Sequence, residues 1–139
     1  MPEVKPLHWV GRVHARVFKV PVIGERFVRT QSRLAAKLAF RLPVLGARKC
    51  ASLHELRGEW LKFLGMAGIY PSISRETDTE FELELDACPY GFCREEEQGV
   101  CDACMDLDRA YVRLLGGEME VVHSIPSGSP SCRFVIRLA

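Results

Sequence analysis

Long hydrophobic runs are missing from this sequence: nothing approaches 18 consecutive apolar residues, so there is no candidate membrane-spanning helix. The start, MPEVKPLHWVGRVHARVFKV, is broken at every turn by Arg12, His14, Arg16 and Lys19, which leaves no apolar core of signal-peptide length. Internal repeats and low-complexity tracts are also absent. The expected compartment is therefore the cytoplasm, with attachment to the periphery of a membrane left open. In that reducing environment the six cysteines read as thiols, metal ligands or catalytic groups rather than disulfides.

What is present suits a folded body. At 139 residues, with 47% hydrophobic and 27% charged residues, the chain can bury a core without disulfide or metal staples. The net charge of +1 hides an asymmetry: residues 1–50 carry eleven Lys and Arg against two acids, and residues 51–139 carry eight against sixteen. This divides the chain into a basic helical segment, 1–48, and an α+β domain with a cysteine-rich pocket, 49–139.

Trp9, Val10, Val13, Val17 and Val20 recur at helical spacing, although the β-branched valines weaken the pattern. A clearer helix is expected over about 25–42, ended by Pro43. At 100° per residue, Arg26, Arg29, Arg33, Lys37 and Arg41 form one stripe, with Phe27, Leu34, Leu38 and Leu42 opposite. Such a helix is expected to put its apolar side on the core and its cations in water. The stripe could also meet an anionic membrane surface or an acidic partner, including the acidic half of this chain or of a second copy in a homo-oligomer. No nucleic-acid-binding motif accompanies it, which argues against that partner.

Ser52-Leu53-His54-Glu55 has the form of a capping box and opens a helix over about 53–66. His54, in its first turn, reads as solvated. After YPSISRETD, read as a loop, the period falls to two: Thr79 to Asp86 alternates acid with apolar residue, as a half-buried strand does. A helix is expected from Asp102 to Leu115, ended by Gly116-Gly117, followed by strands over 118–125 and 131–138 joined by PSGSP. The fold class is thus α+β: N-terminal helices packed with a small antiparallel sheet, one helix lying between the first strand and a C-terminal β-hairpin.

Chemistry concentrates in CPYGFCREEEQGVCDACMDLD, with Cys88-x4-Cys93-x7-Cys101-x2-Cys104. Four thiolates could close around zinc, and an iron–sulfur cluster uses the same ligands; Cys101 and Cys104 could also form a redox dithiol. The alternative is packed or reactive free thiols, and Cys50 reads as structural. Glu95, Glu96 and Glu97 read as a solvated run, and Asp102, Asp106 and Asp108 as first-turn acids facing the helix dipole, with a general base or metal ligand among them as the other reading. In the final hairpin, apolar faces match only if paired residue numbers sum to an odd value such as 255 or 257. Either register brings His123 and Cys132 to the same inner face, where an imidazole could activate a thiolate or both residues could simply fill the core.

The turn Cys88-Pro89-Tyr90, the run Cys101-Asp102-Ala103-Cys104-Met105-Asp106-Leu107-Asp108 and the ending from Ile125 to Phe134, with its Gly-x-x-x-Cys-x-Phe pattern, resemble the 2-amino-thiazoline-4-carboxylate hydrolase family over about residues 80–138. The ending is also similar to small-molecule-binding domains of the vinyl-reductase type, whose sensory members hold zinc with cysteines and a glutamate. Both resemblances imply an α+β body with a pocket between sheet and helices. The first implies opening of a small cyclic amidine by water, with Cys88, Cys101 and Cys132 as first candidates; His123 is added from the hairpin argument for acid/base work. The second implies a zinc-holding ligand or sensor domain, and together with the cysteine spacing it gives the alternative function, a non-catalytic small-molecule-binding or sensor domain with a cysteine-bound zinc or iron–sulfur site. A shorter Cys88-to-Cys101 interval and the additional Cys93 and Cys104 set this sequence apart from the hydrolase pattern.

Overall fold

A computed structural model of the chain describes residues 5–139, with side chains from His8 onward; residues 1–4 of the expected basic segment lie outside the described residues. Four helices, α1 (Lys5–Phe18), α2 (Gly24–Phe40), α3 (Leu53–Met66) and α4 (Gln98–Leu114), accompany four strands, β1 (Ser72–Glu76), β2 (Glu80–Leu85), β3 (Gly117–His123) and β4 (Cys132–Leu138). The strands form one antiparallel sheet in the order β1-β2-β4-β3. This is the α+β class expected, with α4 between β2 and the C-terminal hairpin.

Alternation in β2 buries Phe81 and Leu83 beside Phe134 and Ile136 of β4. The opposite face is ionic: Arg75 meets Glu80 at 2.7 Å, Arg137 meets Glu80 at 3.0 Å and Arg133 meets Glu82 at 3.2 Å. The arginines are more than a third exposed, so each pair adds at most about 1 kcal/mol. Strand β1 occupies what read as a loop. All five of its residues are exposed, so no burial alternation marks it; backbone pairing to β2 makes it a strand.

Against the inner face lie α3, through Leu56, Trp60 and Leu64, and α4, through Tyr111, Val112 and Leu115 just beyond its end. Phe63 stacks on Tyr111 with ring centroids 3.9 Å apart. The cap of α3 is as read: the Glu55 N–H donates to Ser52 Oγ at 3.2 Å, while the Glu55 carboxylate accepts from the N–H of Ala51, one residue earlier than a strict capping box.

The far side of α4 is covered by α2, and here the sequence expectation is overturned. Val28, Ser32 and Ala36 are buried with Gly24, whereas Phe27, Leu34 and Leu38 are 57%, 55% and 59% exposed. Arg29 and Arg33 turn to carboxylates of α4, in the acidic half of the chain that the sequence reading offered as the other partner, while Arg26, Lys37 and Arg41 are exposed as expected. The reason is steric and ionic together: a stripe of small residues every four positions allows a close helix approach, and the acids it meets favour the cationic edge.

The C-terminal hairpin keeps the expected sum of 255 from Gly117↔Leu138 to Val121↔Phe134 and then breaks it: His123 pairs with Arg133. Val122 is the extra residue of a β-bulge. One residue of slip changes the face on which a side chain lies, so His123 falls with Arg133 and not opposite Cys132. The expectation that His123 and Cys132 share the inner face is corrected by that bulge.

Candidate functional site

Between the inner sheet face and α3 and α4 lies a cavity of about 60 Å³. Its wall is apolar over most of its area, from Trp60, Leu64 and Leu83 to Met105, Met119 and Phe134, and includes three thiols, Cys88, Cys101 and Cys132. Asp108 is the one carboxyl in the wall. The cavity adjoins an open groove between α4 and the edge strand β3, and the two share Cys101, Met105, Met119, Val121 and Ser124. That groove is polar where it leaves the cavity, with Gln98, Asp102, Arg109, Glu120 and His123 along it.

The turn Cys88-Pro89-Tyr90-Gly91 brings Cys88 to the wall. Gly91 takes φ 78°, a conformation that glycine adopts without penalty, and its N–H donates to the Cys88 carbonyl at 3.0 Å. Helix α1 closes over this turn: a side chain at Gly11 would collide with the Tyr90 carbonyl oxygen. Beyond Gly91, Phe92 is buried and Cys93 exposed, so Cys93 lines a separate groove with His8, Arg12 and Arg16. The Glu97 carboxylate, from the acid run read as solvated, accepts from the N–H groups of Cys93 and Arg94 at 3.2 and 3.1 Å.

Cys101 and Cys132 come from α4 and the start of β4. The N–H of Ile125 approaches Cys132 Sγ at 3.4 Å. Cys104, one turn beyond Cys101, packs in a second core with Val28, Phe92 and Val100 beneath α1 and α2. Cys50 is buried in the main core, and its thiol approaches the Arg48 carbonyl at 3.5 Å. Of the four cysteines expected as a metal set, Cys88, Cys101 and Cys104 meet in the second core, Cys88 and Cys101 also reaching the cavity wall, while Cys93 stands apart in an exposed turn. Among the described residues, no group of three or more His, Cys, Asp or Glu side chains is placed to hold a metal ion.

Burial dominates the electrostatics of the thiols. It pushes Cys88 up against the opposing pull of backbone N–H groups of Phe92, Tyr90 and Gly91. Cys132 rises for the same reason despite the Ile125 amide, and Cys101 rises further because Cys88 and Cys132 lie nearby. Cys104 is pushed up to about 12, by burial and then by Asp108. These are protonated thiols in apolar surroundings, not activated thiolates. His123 supplies no base to them: its Nδ1–H donates to the Ser131 carbonyl at 3.0 Å, as a ring nitrogen facing a carbonyl must.

Of the three acids read as first-turn residues, with a base or metal ligand among them as the other reading, Asp108 is the one in the cavity wall. Burial pushes its carboxyl up to about 7, only partly offset by its own backbone and by Arg109. Because α4 starts at Gln98 rather than Asp102, Asp108 stands in the third turn and shares a face with Cys101 and Met105, at i, i+4 and i+7. Asp102 and Asp106 lie on another face. Arg29 reaches Asp102 at 2.9 Å and Asp106 at 3.3 Å, Arg109 reaches them at 2.5 and 3.1 Å, and Arg33 reaches Asp106 at 2.9 Å. Burial acts to raise Asp102, but the guanidinium groups of Arg109 and Arg29 outweigh it and hold the carboxyl low.

No protein-family model and no curated protein matches the sequence. Among solved structures, the chain is similar to a trafficking protein particle complex subunit 3 from Naegleria fowleri, a crystal structure described as covalently bound to palmitic acid. The TM-score is 0.57 at 14% identity, over 100% of this chain and 84% of that one. At this identity the likeness shows a common α+β fold.

Proposed function

We propose that this protein is a binding domain for a small, largely apolar molecule, held in the cavity between the sheet and α4. The observation that carries this reading is the cavity itself: an apolar wall that includes protonated thiols and adjoins, at Cys101 and Met105, a polar groove lined by Gln98, Asp102 and Arg109. A ligand suited to it has an apolar body and a polar head, since apolar surface gains by leaving water and the head remains in the polar groove. The Naegleria protein of similar fold, with its palmitic acid, supports an apolar occupant. At about 60 Å³ the cavity is smaller than the roughly 150 Å³ that admits benzene in an engineered core. Entry therefore requires wall residues to move, and Met105 and Met119, unbranched and adaptable, are suited to it.

Hydrolysis of a cyclic amidine, the activity implied by the family resemblance, needs an ionised thiol or a base beside it. Burial holds the thiols protonated, and His123 is engaged with Ser131 on the outer side of the hairpin. These features favour binding over turnover. The test pairs both readings on the full chain. Thermal denaturation with palmitate, decylamine or decanol is expected to raise Tm, and Val121→Trp, which fills the wall, is expected to abolish the rise. No shift with any probe, together with release of ring-opened product from a 2-aminothiazoline carboxylate lost in Cys101→Ala or Cys132→Ala, would replace binding by hydrolysis.

A further inference from the structure

The outward face of α1 and α2 is the most unusual surface of the molecule. Trp9 is 61% exposed, and Phe27, Leu34 and Leu38 are each more than half exposed. Val22 and Ile23, in the connection between the helices, are 88% and 63% exposed. Single exposed apolar residues are ordinary, but a contiguous group of large ones marks a contact surface. The same two helices carry exposed cations, Arg12, Arg16 and Lys19 from α1 and its end, and Arg26, Lys37 and Arg41 along α2.

We propose that this face docks the protein onto the surface of an anionic lipid bilayer, with α1 and α2 lying in the interfacial plane. Charge complementarity selects the occupant. In the first fifty residues eleven cations stand against two acids, and the carboxylates of α4 take up Arg29 and Arg33 on the inner side of α2. Arg26, Lys37 and Arg41 of α2, with Arg12, Arg16 and Lys19 of α1 and its end, remain exposed on the two helices that carry the apolar stripe. Apposing the same face of a second copy would bring these cations against one another, whereas anionic headgroups complement all of them at once. An apolar stripe bordered by Lys and Arg is the pattern that places helices at the headgroup boundary, and an exposed tryptophan suits that depth. No described helix is long and apolar enough to cross a membrane, so the contact is peripheral.

Flotation of the full chain with vesicles tests this. Phosphatidylcholine vesicles containing 30% phosphatidylserine are expected to bind it, and phosphatidylcholine alone to bind it at least tenfold more weakly. Lys37→Glu/Arg41→Glu is expected to weaken binding by roughly fivefold or more per charge, and 0.5 M salt to weaken it likewise. Phe27→Ser/Leu34→Ser/Leu38→Ser is expected to abolish it with little change in Tm, because each of these side chains is more than half exposed. Trp9 supplies a second readout: its emission should shift to the blue with anionic vesicles, against a constant background from Trp60, which is 3% exposed. Absence of vesicle binding, or binding indifferent to both charge and salt, would overturn the proposal. So would a dimer in solution that the triple serine variant converts to monomer without any lipid contact, since the face would then belong to a second copy.

Discussion

Two faces of α4, roughly a third of a turn apart, carry carboxylates in opposite conditions. On one, Asp102 and Asp106 are surrounded by Arg29, Arg33 and Arg109, and Asp102 is held low by its guanidinium partners against the effect of burial. On the other, Asp108 stands among Cys101, Tyr90 and Met105 at the cavity wall, and burial raises it to about 7. The residue type is the same and the helix is the same; what differs is whether cations or hydrocarbon cover it. One face fastens α2 to the body, and the other furnishes a pocket at the cost of a poorly solvated acid.

The largest effect is expected from breaking the first face. Asp106 is the shared partner of three arginines and only 9% of its side chain is exposed. Asp106→Ala removes the buried acid that joins the three arginines, leaving Arg29 and Arg109 only Asp102 on α4, and is expected to cost about 3 kcal/mol, read as a lower urea midpoint. A loss below 1 kcal/mol would mean that the small-residue stripe of α2, not the ion cluster, holds the two helices together.

The second face should respond in the opposite sense. The Asp108 pKa is raised in the fold, from 3.8 to about 7, so between pH 4 and pH 7 the unfolded chain ionises first and stability falls as pH rises. Asp108→Asn removes that penalty. It is expected to leave stability unchanged at pH 4 and to increase it by about 2 kcal/mol at pH 8. This is about half of what the full displacement implies at 1.36 kcal/mol per pH unit, because the cavity gives the carboxyl some solvent. Equal effects at both pH values would show that Asp108 is ionised in the fold, like its neighbours on the first face.

A finer distinction separates the thiols. Iodoacetamide at pH 7.5 is expected to modify Cys93, which is exposed, at least a hundredfold faster than Cys101, Cys104 or Cys132, which are buried and pushed up. Peptide mass mapping over time reads the order. Rapid modification of Cys101 or Cys132 would reveal an activated thiolate and return attention to catalysis.

Sequence patterning served best where one face of an element is buried and the other wet. The alternation of β2 and the apolar face and cap of α3 are of that kind, and both stand as read. Patterning failed on α2 because hydrophobicity was equated with burial. The helix buries Gly24, Ser32 and Ala36, whose value lies in their size, and the acids that draw Arg29 inward are more than seventy residues away in the chain. Asp108 was misread because the acid-rich run before α4 obscured its start by four residues. Cys88, Cys101 and Cys132, the cysteines of the family resemblance, line one cavity; the sulfur-rich spacing had grouped Cys88 with Cys93, Cys101 and Cys104. It could not reveal that Gly91 and Phe92 turn Cys93 outward, since spacing along a chain says nothing of the direction of a side chain.

The bulge at Val122 has a further implication for the hairpin. If that slack were taken up, with Val122 opposite Arg133 and His123 opposite Cys132, the pairing of β4 with β2 would be untouched and the imidazole would pass through the plane of the sheet to the thiol. His123 and Cys132 therefore lie on opposite sides of one ribbon, and a single notch of register along one strand is all that separates them from a common side.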